Sequence, residues 1–448
     1  MVPIRAGIAL LAVTFVVAPV TVAGAVVPPQ VDPQASPPSG AAGPVAAMGQ
    51  RGKCVTPGLL PGVPTGTPAL LNLPGAWAIS RGDGQTVAVI DTGVRPGPRL
   101  PDVQAGGDFV ENGDGLTDCD GHGTLVAGLI AGKPGPDNFA GVAPDAKILA
   151  IRQASERFSP RVTGDDPAVA QASLEVASLS RAVVRAADLG AKVIAITAVT
   201  CLPADRQVDQ SALGAALKYA AVEKDAVIVA AAGNDRAGLA GGSSCQANPL
   251  DNPGHPADPR NWAGVTSVSI PSWWQPYVLS VGSLNQDGQP SDFTMPGPWV
   301  GIAAPGENVT SIGNGELLAN ALPNDRGDLF PLRSSSYAAG YVAGAAALVR
   351  SKFPSLRSTE VISRLAATAH GAAREPSNLV GAGIVDPVAA LTWELPDSAV
   401  SPHRVSITPP PAPPAKDTTP RTIAFVGAGL LALATLAVLL FRRKGQTR

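Results

Sequence analysis

The sequence predicts an α/β fold with a mostly parallel sheet between two layers of helices. Two observations predict it. Short apolar runs of strand length recur along the chain, at Thr86–Ile90, Lys147–Ile151, Val193–Thr197, Ala226–Ala230 and Val278–Val281. Longer Ala- and Leu-rich segments alternate with them, at His122–Ala131, Gln171–Leu189, Ser211–Glu223 and Ser336–Arg350. Strands that are apolar throughout are buried on both faces, as in a parallel sheet covered by helices. In such sheets, functional groups collect where strand carboxyl ends meet helix N-termini.

The 448 residues suit one large domain with additions at its ends. Hydrophobic residues make up 45%, enough for a sizeable core. Lys+Arg 33 nearly balance Asp+Glu 35, so no basic excess points to nucleic acid and no acidic run to a solvating tail.

The two termini are apolar in different ways. Arg5, the apolar run Ala6 to Ala18 and the small residues Ala23-Gly24-Ala25 have the order of an export signal, expected to be cleaved after Ala25. Residues 26–69 form a Pro-, Ala- and Gly-rich extension that reads as extended rather than packed. A catalytic domain is expected over 70–395 and a stiff Pro-rich linker over 396–422, with Pro409, Pro410 and Pro411 within it. The segment 423–441 carries no charge. At about 1.5 Å per residue it reaches about 28 Å, close to a bilayer core of roughly 30 Å. Arg442, Arg443 and Lys444 follow in a basic tail over 442–448. Positive residues stay on the cytoplasmic side, so the expectation is a single-pass cell-membrane protein with its bulk outside.

Four cysteines, Cys54, Cys119, Cys201 and Cys245, in an exported chain suggest two disulfides. Three pairings are possible. Cys54–Cys119 with Cys201–Cys245 is favoured, each closing a loop worth about 3–4 kcal/mol in the chain-entropy model. No pair has the C-x-x-C spacing of a zinc site.

The residues that carry chemistry fall at the strand–helix junctions. Asp91 ends the run Val87-Ala88-Val89-Ile90 and precedes Thr92-Gly93, where alone it reads as a turn aspartate. His122, one of 4 histidines, lies in Asp120-Gly121-His122-Gly123-Thr124 and opens a helix, between glycines that allow close approach. Ser336 lies in Ser334-Ser335-Ser336-Tyr337-Ala338-Ala339-Gly340; a serine there is commonly a helix cap, but a helix N-terminus also stabilises developing negative charge. Asn234 follows Ala230-Ala231-Ala232-Gly233, where an amide can serve a turn or donate into a cleft. Together they supply a complete chemistry. A serine hydroxyl needs a base, the base needs a carboxylate to fix its tautomer, and the oxyanion needs a donor. The chain order Asp91, His122, Ser336 is that of subtilisin.

With these motifs the sequence resembles the subtilase superfamily over most of 70–395, and Gly381-Ala382-Gly383-Ile384-Val385-Asp386 resembles the segment that closes many such domains. The resemblance implies a subtilisin-like three-layer fold and serine endopeptidase activity. It assigns Asp91, His122 and Ser336 to the triad and Asn234 to the oxyanion hole, with no cofactor and no metal required. No acidic cluster argues for calcium. The terminal additions and four cysteines resemble the mycosins, which are subtilases associated with type VII secretion. That narrower likeness implies exported protein or peptide substrates and a type VII membrane complex as partner. The alternative is a structural component of that complex with a weak or silent site. One departure stands out. The family has Gly-Thr-Ser at the nucleophile and Pro four residues later, whereas this chain has Ser334, Ser335, Ser336 and Gly340. Ser334 adds a side chain that could crowd the cleft. The segments Gln153–Ala170 and Cys245–Trp274 read as substrate loops, with Trp273 and Trp274 as contact candidates.

Overall fold

The computed structural model describes residues 26–63, 68–160, 166–235, 245–251, 257–314, 317–324, 326–372, 376–395 and 419–445. The expected export signal, 1–25, lies outside them, as does most of the expected linker.

Nine strands form the central sheet: β1 (Thr86–Asp91), β2 (Val103–Asp108), β3 (Lys147–Arg152), β4 (Val193–Ile196), β5 (Val227–Ala231), β6 (Val278–Leu284), β7 (Val300–Pro305), β8 (His370–Gly371) and β9 (Gly383–Ile384). Their order is β8-β9-β7-β6-β5-β4-β1-β3-β2, and every pairing is parallel except β8 with β9 at the edge. Helices cover both faces: α1 (His122–Ala131), α2 (Pro167–Asp188), α3 (Ser211–Lys218), α4 (Ser335–Lys352), α5 (Ser358–Ala367) and α6 (Pro387–Thr392). The layering is the α/β arrangement expected from the sequence, with β1, β3, β4 and β5 buried on both faces.

Side chains alternate across a strand, so the two faces can be read residue by residue. Val87 and Val89 pack in the core shared with α1 and α4, whereas Ala88 and Ile90 pack in the core shared with α2 and α3. Val193 and Ala195 repeat the first pattern on β4, and Ile194 and Ile196 the second. Continuing the alternation, Asp91 and Thr197 fall on the α1/α4 side. Helices α1 and α4 are buried nearly all round, and α4 is built largely from small residues. A Cβ on Gly344 would lie 2.6 Å from Val142, so this glycine permits the close packing of α4. A Cβ on Gly340 would sit 3.5 Å from Val126, an ordinary contact, so the missing proline leaves no steric demand there.

The extension is laid along the domain rather than packed as an element of it. Met48–Gln50 pairs antiparallel with Phe158–Pro160, Cys54 is bonded to Cys119, and Asn320 holds the backbone of Leu60 from both sides. Cys201 is bonded to Cys245. Helix α7, Thr419–Gly445, covers the expected apolar segment; its described side chains run from 425 to 438. Among the described residues no helix is long and apolar enough to cross a membrane.

Candidate active site

Asp91 ends β1 fully buried, and His122 opens α1 across from it. The His122 Nδ1 lies 2.8 and 2.9 Å from the two carboxylate oxygens. The Thr92 amide donates to Asp91 Oδ1 at 2.6 Å, and the Thr197 hydroxyl donates to Oδ2. With the Nδ1 proton directed at Asp91, Nε2 carries the lone pair. Nε2 is buried and makes no hydrogen bond among the described residues.

The electrostatics support a base held by a carboxylate. Burial raises the Asp91 pKa, but the His122 charge and the hydrogen bonds from His122, Thr197 and the Thr92 amide outweigh it, leaving it below the ordinary range. Burial lowers the His122 pKa, but the Asp91 charge and hydrogen bond carry it above the ordinary value.

The glycines beside His122 have separate roles. Gly121 adopts φ +74°, a left-handed conformation that favours glycine. Gly123 is where α1 meets the turn after β1, and a Cβ there would lie 2.1 Å from the Gly93 carbonyl oxygen.

The motif threonines meet on Asp118, a residue the sequence reading passed over. Its Oδ1 accepts from the Thr92 hydroxyl at 2.9 Å and from the Asp120 and Gly121 amides at 3.2 and 2.8 Å. Its Oδ2 accepts from the Thr124 amide and hydroxyl at 2.9 and 2.6 Å. Thr92 in turn accepts from the Gly123 amide at 2.9 Å. Asp118 therefore ties the turn carrying Asp91 to the helix start carrying His122. Burial pushes its pKa up to about 6 against these hydrogen bonds. The adjacent Cys119 is the anchor of the extension, whose Pro57 covers Gly121.

Ser336 lies in the first turn of α4, which Ser334 caps. The Ser336 hydroxyl donates to the Thr197 carbonyl at 2.9 Å, and the Ser336 amide donates to Ser334 Oγ at 3.1 Å. Asn234 follows β5 and is fastened to the same turn. Its Nδ2 donates to Ser334 Oγ at 3.0 Å, and its Oδ1 accepts from the Ser335 amide at 3.0 Å. The Ser335 hydroxyl accepts from the Gly233 amide at 3.2 Å. Cys245 accounts for the second disulfide's place here, since its amide donates to the Asn234 carbonyl at 2.8 Å. Thr197 is the second residue missed: its hydroxyl holds Asp91 and its carbonyl holds Ser336.

The structure thus gathers all four predicted residues at the carboxyl ends of β1, β4 and β5 and the N-termini of α1 and α4. Of the two tryptophans read as contact candidates, Trp274 is buried and Trp273 half-buried. Both indoles donate to Gln210 Oε1, at 3.0 and 2.8 Å, and Trp274 is buried against Gly214. Among the described residues no group of three or more His, Cys, Asp or Glu is arranged to hold a metal ion.

Residues 82–383 match the model of the Subtilase family. Mycosin-3 of Mycobacterium tuberculosis (strain ATCC 25618 / H37Rv) is 61% identical, covering 98% of this chain and 99% of its own. The solved structure of the MycP3 protease from the type VII (ESX-3) secretion system is 64% identical with a TM-score of 0.79, over 82% of this chain and all 100% of that one. A chain in the intact ESX-5 inner membrane complex is 44% identical with a TM-score of 0.80, over 93% of this chain and 100% of that one.

Proposed function

Since the chain belongs to the subtilase family, and within it to the mycosins, and is accordingly a serine endopeptidase, we propose that Asp91, His122 and Ser336 are its catalytic triad and Asn234 its oxyanion donor. The observation that carries this reading is the buried Asp91–His122 pair, with its unengaged Nε2 on the side of the sheet where α4 begins.

In this reading the groups act in sequence. The Ser336 hydroxyl turns from the Thr197 carbonyl to His122 Nε2 and loses its proton as Oγ attacks a peptide carbonyl carbon. The imidazolium formed is stabilised by the Asp91 carboxylate already bonded to Nδ1. The carbonyl oxygen takes up negative charge between Asn234 Nδ2 and the Ser336 amide, aided by the N-terminus of α4. His122 then protonates the leaving amine, and water repeats the sequence to release the acyl group. Peptide hydrolysis by the purified full chain tests the reading: Ser336→Ala and His122→Ala each abolish turnover if it is right, and a His122→Ala variant with wild-type turnover overturns it.

The exported topology and the partner belong to the same proposal. The apolar segment 423–441 spans the membrane, the basic tail lies in the cytoplasm and the catalytic domain outside. Support comes from the charge-free stretch followed by three basic residues, and from helix α7 running through it. Exposure of the tail to a membrane-impermeant label in intact cells would refute the orientation. The chain works with a type VII secretion membrane complex, as its similarity to a chain of the ESX-5 inner membrane complex supports, and its proposed substrates are exported proteins or peptides. Failure to co-purify with any such complex would count against the partner. Family membership favours the protease reading over a purely structural part.

A further inference from the structure

We propose that Ser334 is a built-in occupant of the oxyanion hole, holding Ser336 latent until a substrate carbonyl displaces it. This rests on the triad reading above and adds a residue to it.

The two donors assigned to the oxyanion are Asn234 Nδ2 and the Ser336 amide. Both already donate to one atom, Ser334 Oγ, at 3.0 and 3.1 Å. Oxyanion donors work at about 2.7–3.1 Å from the oxygen they stabilise. The Ser334 oxygen therefore stands where the substrate oxygen must go. Its own proton is directed at Ser336 Oγ, at 3.0 Å. A hydroxyl has one proton and two lone pairs, and here all three are engaged. Ser336 Oγ, receiving that bond, directs its proton at the Thr197 carbonyl rather than at His122. One side chain thus fills the hole and helps turn the nucleophile from its base.

The arrangement is held without strain. Ser334 is fully buried and extended, with φ −173°. Its amide donates to the Gly306 carbonyl at 2.9 Å and its carbonyl accepts from the Tyr337 amide at 3.2 Å. The backbone is fixed on both sides, so displacement requires only rotation of the hydroxyl about χ1. The bland account is that Ser334 is simply the cap of α4, since its hydroxyl accepts from the Ser336 amide in any case. The two accounts differ on glycine. As a cap, glycine is only slightly worse than serine, so Ser334→Gly leaves α4 nearly as stable. As an occupant of the hole, glycine removes the competitor altogether.

The test is the second-order rate of fluorophosphonate labelling of the purified full chain. It is read for wild type, Ser334→Gly, Ser334→Ala and Ser334→Thr, each also in a Ser336→Ala background, beside melting temperature and kcat and KM on a peptide. A neutral hydrogen bond is worth roughly two- to tenfold in an equilibrium, and two compete here. Ser334→Gly and Ser334→Ala are therefore expected to label about tenfold faster, with the gain in kcat rather than KM. Ser334→Thr, which keeps the hydroxyl, stays near wild type. Every signal disappears with Ser336→Ala. If folded Ser334→Gly labels no faster than wild type while Ser336-dependent labelling persists, the occupant proposal fails and the triad reading stands. If neither wild type nor folded Ser334→Gly labels at Ser336, the triad reading fails, and this proposal with it.

Discussion

Replacing Asn234 with alanine tests the role proposed for its amide nitrogen together with the bond made by its amide oxygen. The nitrogen donates to Ser334 Oγ at 3.0 Å, and the oxygen accepts from the Ser335 backbone at 3.0 Å. Losing the nitrogen removes one of two oxyanion donors, which lowers kcat by about 10²–10³ with KM little changed. Losing the oxygen strands a buried backbone N–H in the first turn of α4, at a cost of about 1–3 kcal/mol in stability. The variant therefore folds, melts at a lower temperature and turns over far more slowly. Sequence reasoning alone expects only the loss of turnover, because nothing in Gly233-Asn234 announces the bond to Ser335. Steady-state kinetics on a peptide and a denaturant titration of the same preparation read both. A kcat within about threefold of wild type would refute the donor assignment, being far short of the loss expected for such a group.

Four other outcomes follow. The acid limb of kcat/KM falls above the ordinary histidine value of about 6.5, because the Asp91 charge and hydrogen bond raise His122 against its burial; a midpoint below that value contradicts the pairing. Thr197→Val removes the hydroxyl on Asp91 but leaves the carbonyl that holds Ser336, so kcat drops by about tenfold, the low end for losing a hydrogen bond to a charged group worth about 1.5–3 kcal/mol. Replacing Cys54 and Cys119 together by serine costs about 4 kcal/mol in the chain-entropy model for a separation of 65 residues, measured by denaturant unfolding. Asp118 titrates at about 6 in the folded chain and near 3.9 unfolded. The folded state thus holds this proton longer, and the stability it contributes is full below about pH 4 and lost as pH rises through about 6. Unfolding free energies across that window, compared with Asp118→Asn, should show the decline only in wild type.

The central strands and the long helices were legible because each satisfies its own periodicity. β1, β3, β4 and β5 are buried on both faces and read as unbroken apolar runs. The strands that escaped notice have weaker local signals. β2 is the edge strand Val-Gln-Ala-Gly-Gly-Asp, exposed over its first residues, and needs no apolar face there. β7 is interrupted by Gly301 and ends on Pro305, both of which read as breaks. β8 and β9 are two residues each, set by pairing alone.

The site divides in the same way. Asp91, His122, Ser336 and Asn234 stood out because their motifs carry chemistry in local form. Asp118, Thr197 and the Ser334 contacts are tertiary: a carboxylate joining two turns, a carbonyl 139 residues from the hydroxyl it binds, and a hydroxyl between two donors. The bond that Trp273 and Trp274 share is tertiary as well, since their partner, Gln210, lies far away in sequence. The extension's composition suggested an extended segment rather than a packed one. Cys54 within it announced the bond to Cys119, but its hold by Asn320 and its pairing with Phe158–Pro160 depend on residues far away in sequence.

The account rests on Ser336 being the activated nucleophile among three consecutive serines, and mapping the adduct tests it most directly. The purified full chain is treated with a fluorophosphonate, digested and sequenced by mass spectrometry. The account predicts a single phosphonylated serine at Ser336, absent after His122→Ala. An adduct on Ser334 or Ser335, or one on Ser336 that forms equally fast without His122, would contradict it.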